Sequence, residues 1–399
     1  MQIADFLQTH LSRNAVCLLE YETGITAHLD AYIQQCWGKG RVLVVADAYY
    51  REFVERQFLP QLQSHGIETV YCLCLPAPGV TYHTQIDEAL GDGALAHLTG
   101  IIALGDPEIF DAVRDHAAIF DLPCCALFNT FAPQNAFDPC GEKHPCADAL
   151  FFDLDAIESA LHGDLREAIQ ALEVDVYAQR ADIAVQQALS KHVDPAFIQA
   201  IDESLPPRIH SHGKPSEDEL AQLCEAYTWR AVAYRLGNHV DSLKTVLEYA
   251  KAGNDFPQFS VASHAKIMAL LMEAALELES LEISPEDCAD HQIPKDILTR
   301  TLQQILLADG IPFDWMKRAE LAYEDRNSLR LELHALVLNW DDFCNHLRPI
   351  ADLMHAIGAQ SEDDTTLKNL WIHAARFAPQ SSFLKLFQIL NLVESSLYL

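Results

Sequence analysis

The hydrophobic positions of the chain change their rhythm partway along. Over the first 155 residues, short continuous apolar runs rich in β-branched side chains alternate with stretches in which apolar residues recur every three or four positions. The first pattern suits a strand buried on both faces, the second a helix with one face against a core. RVLVVA at 41–46 predicts a strand, and the run from Asp47 to about 65, closed by Gly66, predicts a helix. A strand at 68–75, a helix at about 84–98 and a strand at 101–104 follow. Ile109, Ala112, Val113 and Ala117 then mark a further helix, and CCALF another strand. Ahead of all these lie an amphipathic helix at 1–10 and a short strand at 15–20, with Glu22, Thr23 and Gly24 as its turn.

Strand and helix alternating in this way predict a parallel, doubly wound sheet, since parallel neighbours need a crossover and a helix supplies it. Gly105 falls at a strand's carboxyl end, where open α/β sheets bind ligands. Past a polar loop at 138–148 comes the apolar run ALFFDLDAI, and from Ala156 onward the spacing is helical. The expected organisation is a Rossmann-like α/β domain over 1–155 and an all-helical domain over 156–399. Linkers are expected at 205–216, 253–257, 284–294 and 359–364.

Charge narrows the partners. The 27 basic and 58 acidic residues leave a net charge of −31, a surface that repels nucleic acid and anionic membranes. No nucleic-acid or membrane partner is expected, and any phosphate site has to be built locally. No apolar stretch approaches the ~20 residues of a bilayer span, and no leader pattern opens the chain, so a soluble, cytoplasmic protein is expected. Of the 11 cysteines, Cys17, Cys72, Cys74, Cys124 and Cys125 sit in strand-like apolar runs, which predicts reduced core thiols. Cys140 and Cys146 flank His144 in PCGEKHPC; with no second ligand pair nearby, a thiol-bearing surface loop is a simpler reading than a metal knuckle.

GDPEIFDAVR at 105–114 and NTFAPQNA at 129–136 carry a family resemblance. They resemble motifs of the iron-dependent alcohol dehydrogenase, glycerol dehydrogenase and dehydroquinate synthase superfamily, nearest its glycerol-1-phosphate dehydrogenase branch. The family patterns GGGxxxDxxK and PTxxSxDG are matched at Gly105, Asp111 and Thr130. Asp106 and Pro107 replace two glycines, Arg114 the lysine, Asn129 the proline, Pro133 the serine and Asn135 the aspartate. The resemblance implies a dehydroquinate synthase-like fold. It also implies an NAD(P) site lined by Gly105, Asp106, Pro107 and Thr130, with Arg114 in the lysine's place near the substrate. ARFAPQSSFLKLFQIL is similar to the family's closing helix without its RxRYT signature, Ser382, Phe383 and Leu384 being the remnants.

A divalent cation, zinc or iron, is implied as well. Gly163 and Asp164 match the motif of the family's first ligand, Gly237 and His239 that of the second, and Ser263 and His264 open the third. Three such ligands leave positions open for a substrate hydroxyl. Asp164 is equally well placed to cap a helix. The implied activity is a metal-dependent, NAD(P)-linked dehydrogenase of a polyol or phosphorylated polyol, with hydride transfer in the interdomain cleft and a homo-oligomeric state left open.

The turn itself argues for weak nucleotide binding. Consecutive glycines let backbone amides approach a pyrophosphate, whereas Asp106 adds a negative charge and Pro107 removes a donor. A like charge ~4 Å away costs about 1 kcal/mol in water and about 4 kcal/mol at an effective dielectric near 20. Aspartate before proline is also simply what a capped helix start requires. The alternative function is a non-redox homologue that binds a small ligand or a partner subunit on the same scaffold.

Overall fold

The computed structural model describes residues 3–11, 18–94, 97–133, 135–137, 147–161, 165–188, 192–206, 215–237, 261–277 and 339–359. The strands among them are β1 (Leu18–Glu22), β2 (Arg41–Ala46), β3 (Glu68–Leu73), β4 (Leu98–Gly105), β5 (Cys124–Phe128) and β6 (Ala149–Asp153). They form one sheet in the order β1-β6-β5-β4-β2-β3, and every neighbouring pair is parallel. The helices are α1 (Ile3–His10), α2 (Leu29–Trp37), α3 (51–64), α4 (Tyr82–Ala94), α5 (Pro107–Phe120), α6 (Leu154–Ala160), α7 (Arg166–Ala188), α8 (Pro195–Glu203), α9 (Glu217–Leu236), α10 (Val261–Glu277) and α11 (Trp340–Gly358). This is the expected class, a parallel α/β sheet followed by helices. Among the described residues no strand lies beyond Asp153.

The apolar rhythm accounts for the layering. Val42, Val44 and Ala46 alternate onto one face of β2, as the pleat requires, and meet Leu29 and Ile33 of α2 and Val54, Phe58 and Leu62 of α3, which recur at helical spacing. Each such side chain, fully buried, contributes about 1.5 to 3 kcal/mol. β5 and β6 are buried along their whole length. Cys72, Cys74, Cys124 and Cys125 are buried free thiols, as the apolar runs predict.

Boundaries differ from the sequence pattern in several places, and α3 begins at Arg51 rather than at Asp47. β1 runs on through Glu22, because Glu22 pairs with Asp153 in the ladder to β6. Leu98, expected to end a helix, opens β4 by pairing with Arg41. β3 stops at Leu73, after which Cys74 N–H still donates to the Ala46 carbonyl at 2.8 Å.

The chain separates into two compact units, Met1–Glu173 with Asp194–His239, and Val174–Val193 with Val240–Leu399. The first contains the sheet together with α6, α8 and α9. In the second, α10 packs closely on α11, where a Cβ added at Gly358 would come 2.8 Å from the Lys266 backbone nitrogen. No helix among the described residues is long and apolar enough to cross a membrane.

Candidate functional site

Strand order reverses between β2 and β4: the chain passes outward from β2 to β3, then returns across β2 to β4. Ligands of open α/β sheets sit outside the carboxyl ends at such a point. Here those ends are Asp47 after β2 and Gly105-Asp106 after β4.

Gly105 has a φ of +137°, a conformation that L side chains rarely adopt. A Cβ there would also overlap the Asp47 carboxylate. Asp47 is held firmly: its N–H donates to the Leu104 carbonyl at 3.0 Å, Oδ1 accepts from Tyr50 N–H at 3.1 Å, and Oδ2 accepts from Asn129 Nδ2 at 3.2 Å. Burial pushes its carboxyl up from the ordinary carboxylate range, and the nearby Asp106 adds to that push. Asn129 Oδ1 is buried and has no hydrogen-bond partner among the described residues.

Asp106 caps α5. Its backbone is extended, its Oδ1 accepts from Ile109 N–H at 3.1 Å, and Pro107 takes the first helical position. Asp153 ends β6 in the same manner, with Oδ1 accepting from Ala156 N–H at 3.2 Å. Its Oδ2 also accepts from the buried Tyr50 hydroxyl at 3.0 Å. Burial raises the Asp153 carboxyl and, more strongly, the Tyr50 phenol.

The remaining expected residues fall as follows. Thr130 donates from Oγ1 to the Phe131 carbonyl at 3.3 Å, and Phe131 stacks on Tyr227 with ring centroids 4.3 Å apart. Arg114, in the middle of α5, donates from Nη1 to the Asn135 carbonyl at 2.8 Å and pairs with Asp111 Oδ1 at 3.4 Å. Asn135 Nδ2 donates to the same Asp111 oxygen. Three motif positions, Asp111 matched and Arg114 and Asn135 replaced, thus form one network, which ties the loop after β5 to α5. His264 lies near the start of α10 and is half-buried. Asp164, His239, the Cys140–His144–Cys146 cluster and the closing stretch around Ser382 to Leu384 lie outside the described residues. Among the described residues no three His, Cys, Asp or Glu side chains gather as a metal site.

These residues do not fit a pyrophosphate held in the manner of a three-glycine loop. Asp47 fills the space beside Gly105, the Ile109 N–H is taken by Asp106, and Pro107 has no N–H to offer. What sequence reasoning missed is that Asp47, in the turn before α3, packs against Gly105. The recurrence of Asp at three strand ends, in VVAD, ALGD and FFD, was the available signal.

No family model and no curated protein matches the sequence. Among solved structures, the chain is similar to maleylacetate reductase from Rhizobium sp. strain MTP-10005, with 13% identity, 90% of this chain and 89% of that one covered, and a TM-score of 0.47. It is similar also to an iron-containing alcohol dehydrogenase from Corynebacterium glutamicum, with 13% identity, 92% and 90% covered, and a TM-score of 0.47. A 1,3-propanediol oxidoreductase gives 12% identity, 92% and 93% covered, and a TM-score of 0.48.

Proposed function

We propose that the chain is a divergent oxidoreductase of the metal-dependent, nicotinamide-linked alcohol dehydrogenase type, acting on an alcohol or a polyol, phosphorylated polyols of the glycerol-phosphate kind included. The observation that carries this reading is the turn after β4: at the reversal of strand order, a backbone that only glycine readily adopts leads straight into a capped helix. In this reading residues 1–155 form the nucleotide-type domain and 156–399 the metal and substrate domain.

Asp164, His239 and His264 are the proposed metal ligands. One carboxylate and two imidazoles suit zinc or iron with positions left open. Such a cation supplies Lewis acidity to a substrate hydroxyl. Gly105 and Thr130 are proposed to face a nucleotide whose pyrophosphate is held otherwise than in a three-glycine loop, and Arg114 to position the loop carrying Asn135 rather than to touch the reacting atoms.

Asp47 favours the second reading, a non-redox ligand-binding protein, because its carboxylate fills the space beside Gly105. Calorimetry with NADH and NADPH, on the parent and on the Asp106→Gly/Pro107→Gly double variant, separates the two when combined with metal analysis of the purified protein. The oxidoreductase reading expects bound zinc or iron, weak binding by the parent with Kd above ~1 mM, and tighter binding by the variant, the gain shrinking as salt rises. Micromolar binding by the parent would overturn the account of the turn. No nucleotide binding by either protein, with no bound metal, would leave the non-redox reading standing.

A further inference from the structure

Strand β3 ends in a pair of thiols that the proposed oxidoreductase does not use. Cys72, within β3, and Cys74, just past it, are two residues apart and so project to the same side of the strand. Their Sγ atoms lie 3.8 Å apart. Cys72 keeps 4% of its surface exposed and Cys74 none. α4 holds the pair in place. Cys72 Sγ donates to the Gln85 carbonyl at 3.4 Å, while the Gln85 side chain clamps Leu75, accepting from its N–H at 2.9 Å and donating to its carbonyl at 2.9 Å.

We propose that Cys72 and Cys74 form a reversible dithiol–disulfide pair, oxidised by hydrogen peroxide or a small organic hydroperoxide. Proximity is the first argument, since closing the S–S bond to about 2.05 Å needs the sulfurs to approach by less than ~2 Å. Position is the second. Residues two apart in an extended strand have Cα atoms ~6.6 Å apart, near the upper end of what a disulfide spans. Cys74 lies just past the last ladder residue, tied by its N–H to Ala46 and followed by the clamped Leu75, so closure has to strain those bonds. A bridge across so short a segment is of the strained, easily reduced kind that serves regulation rather than structure.

The order of events follows from the contacts. The Sγ–Sγ contact, in which either thiol can donate, holds Cys72 below the usual thiol range and Cys74 above it. Cys72 is also the thiol with residual exposure. Its thiolate attacks one peroxide oxygen, the O–O bond breaks, and hydroxide leaves, giving Cys72 sulfenic acid. Cys74 sulfur then attacks the Cys72 sulfur, the S–OH bond breaks, and water departs with the Cys74 proton. In balance, two thiols and one hydrogen peroxide give one disulfide and two waters, and with an organic hydroperoxide one water and the corresponding alcohol. The contraction pulls on the Cys74 N–H bond to Ala46, the residue before Asp47.

The sequence makes the test direct. Between Arg56 and Arg114 there is no lysine or arginine, and that tryptic peptide carries no other cysteine. The native full-length protein is treated with hydrogen peroxide, remaining thiols are alkylated after unfolding, and the peptide is weighed. The expected result is loss of both alkylation sites and of the mass of two hydrogens, reversed by dithiothreitol. Full alkylation of the peptide after treatment overturns the proposal, as does added oxygen without loss of two hydrogens. Cys74→Ser is expected to leave Cys72 as a sulfenic acid trapped by dimedone, and Cys72→Ser to leave Cys74 unmodified. The readout is mass rather than turnover, so its outcome is independent of whether the oxidoreductase reading holds. If either variant fails to fold, the parent's peptide mass still decides.

Discussion

The turns after β4 and after β6 are built from the same local part and end up as different things. Each closes a buried strand with an aspartate in extended conformation whose side chain accepts the N–H three residues on. After β4 that aspartate, Asp106, is half-buried, and the crowding falls instead on Gly105, which Asp47 packs against. After β6 the aspartate, Asp153, is itself 6% exposed and doubles as the acceptor for a buried tyrosine. Cap chemistry is therefore no guide to how replaceable a residue is. What it touches beyond its own helix decides that.

Substitutions rank the two turns. Gly105→Ala is expected to cost the most, about 4 kcal/mol, from backbone strain and overlap with Asp47 together. Urea denaturation would show it as a fall in midpoint. Adding Asp47→Ala should restore the overlap part and leave the backbone part, and full restoration would mean that φ at Gly105 is unimportant.

Asp153→Ala comes next, at about 3 kcal/mol, because a lost cap is compounded by a Tyr50 hydroxyl buried without its acceptor. In a double-mutant cycle with Tyr50→Phe, the combined loss should be smaller than the sum of the single losses. Strict additivity would show that the Tyr50 contact carries no energy.

Asp106→Ala is expected to cost only about 1 kcal/mol, the ordinary value of a cap. A cost equal to that of Asp153→Ala would erase the distinction between the two turns.

The smallest effect concerns pH. Asp47 has its carboxyl raised by burial, so folding favours its protonated form. That contribution is fully present below the unfolded carboxylate value of about 3.9 and is lost as pH rises through the folded value. Asp47→Asn should therefore be slightly more stable than the parent near neutral pH. Partial exposure keeps the gain below about 1 kcal/mol, and it should shrink as pH falls toward 4. Thermal melts across that range measure it. A parent more stable than the variant at neutral pH would mean that the hydrogen bonds from Tyr50 and Asn129 to the charged form outweigh its burial.

Much of this protein was determined by short stretches of sequence. β-branched runs, helical spacing, the Asp-Pro start of α5 and a glycine at the end of β4 specify strand, helix, cap and turn, because each depends on torsions and hydrogen bonds within a few residues. They did not reveal that Asp47 lies against Gly105, that Tyr50 reaches Asp153, that Arg114 is engaged with Asn135 and Asp111, or that Leu98 joins β4. Those outcomes follow from strand order, with β4 beside β2 and β6 beside β5, which sets far-apart residues side by side. Burying both faces of a parallel sheet selects that order, and it is a property of the whole domain that no local pattern encodes.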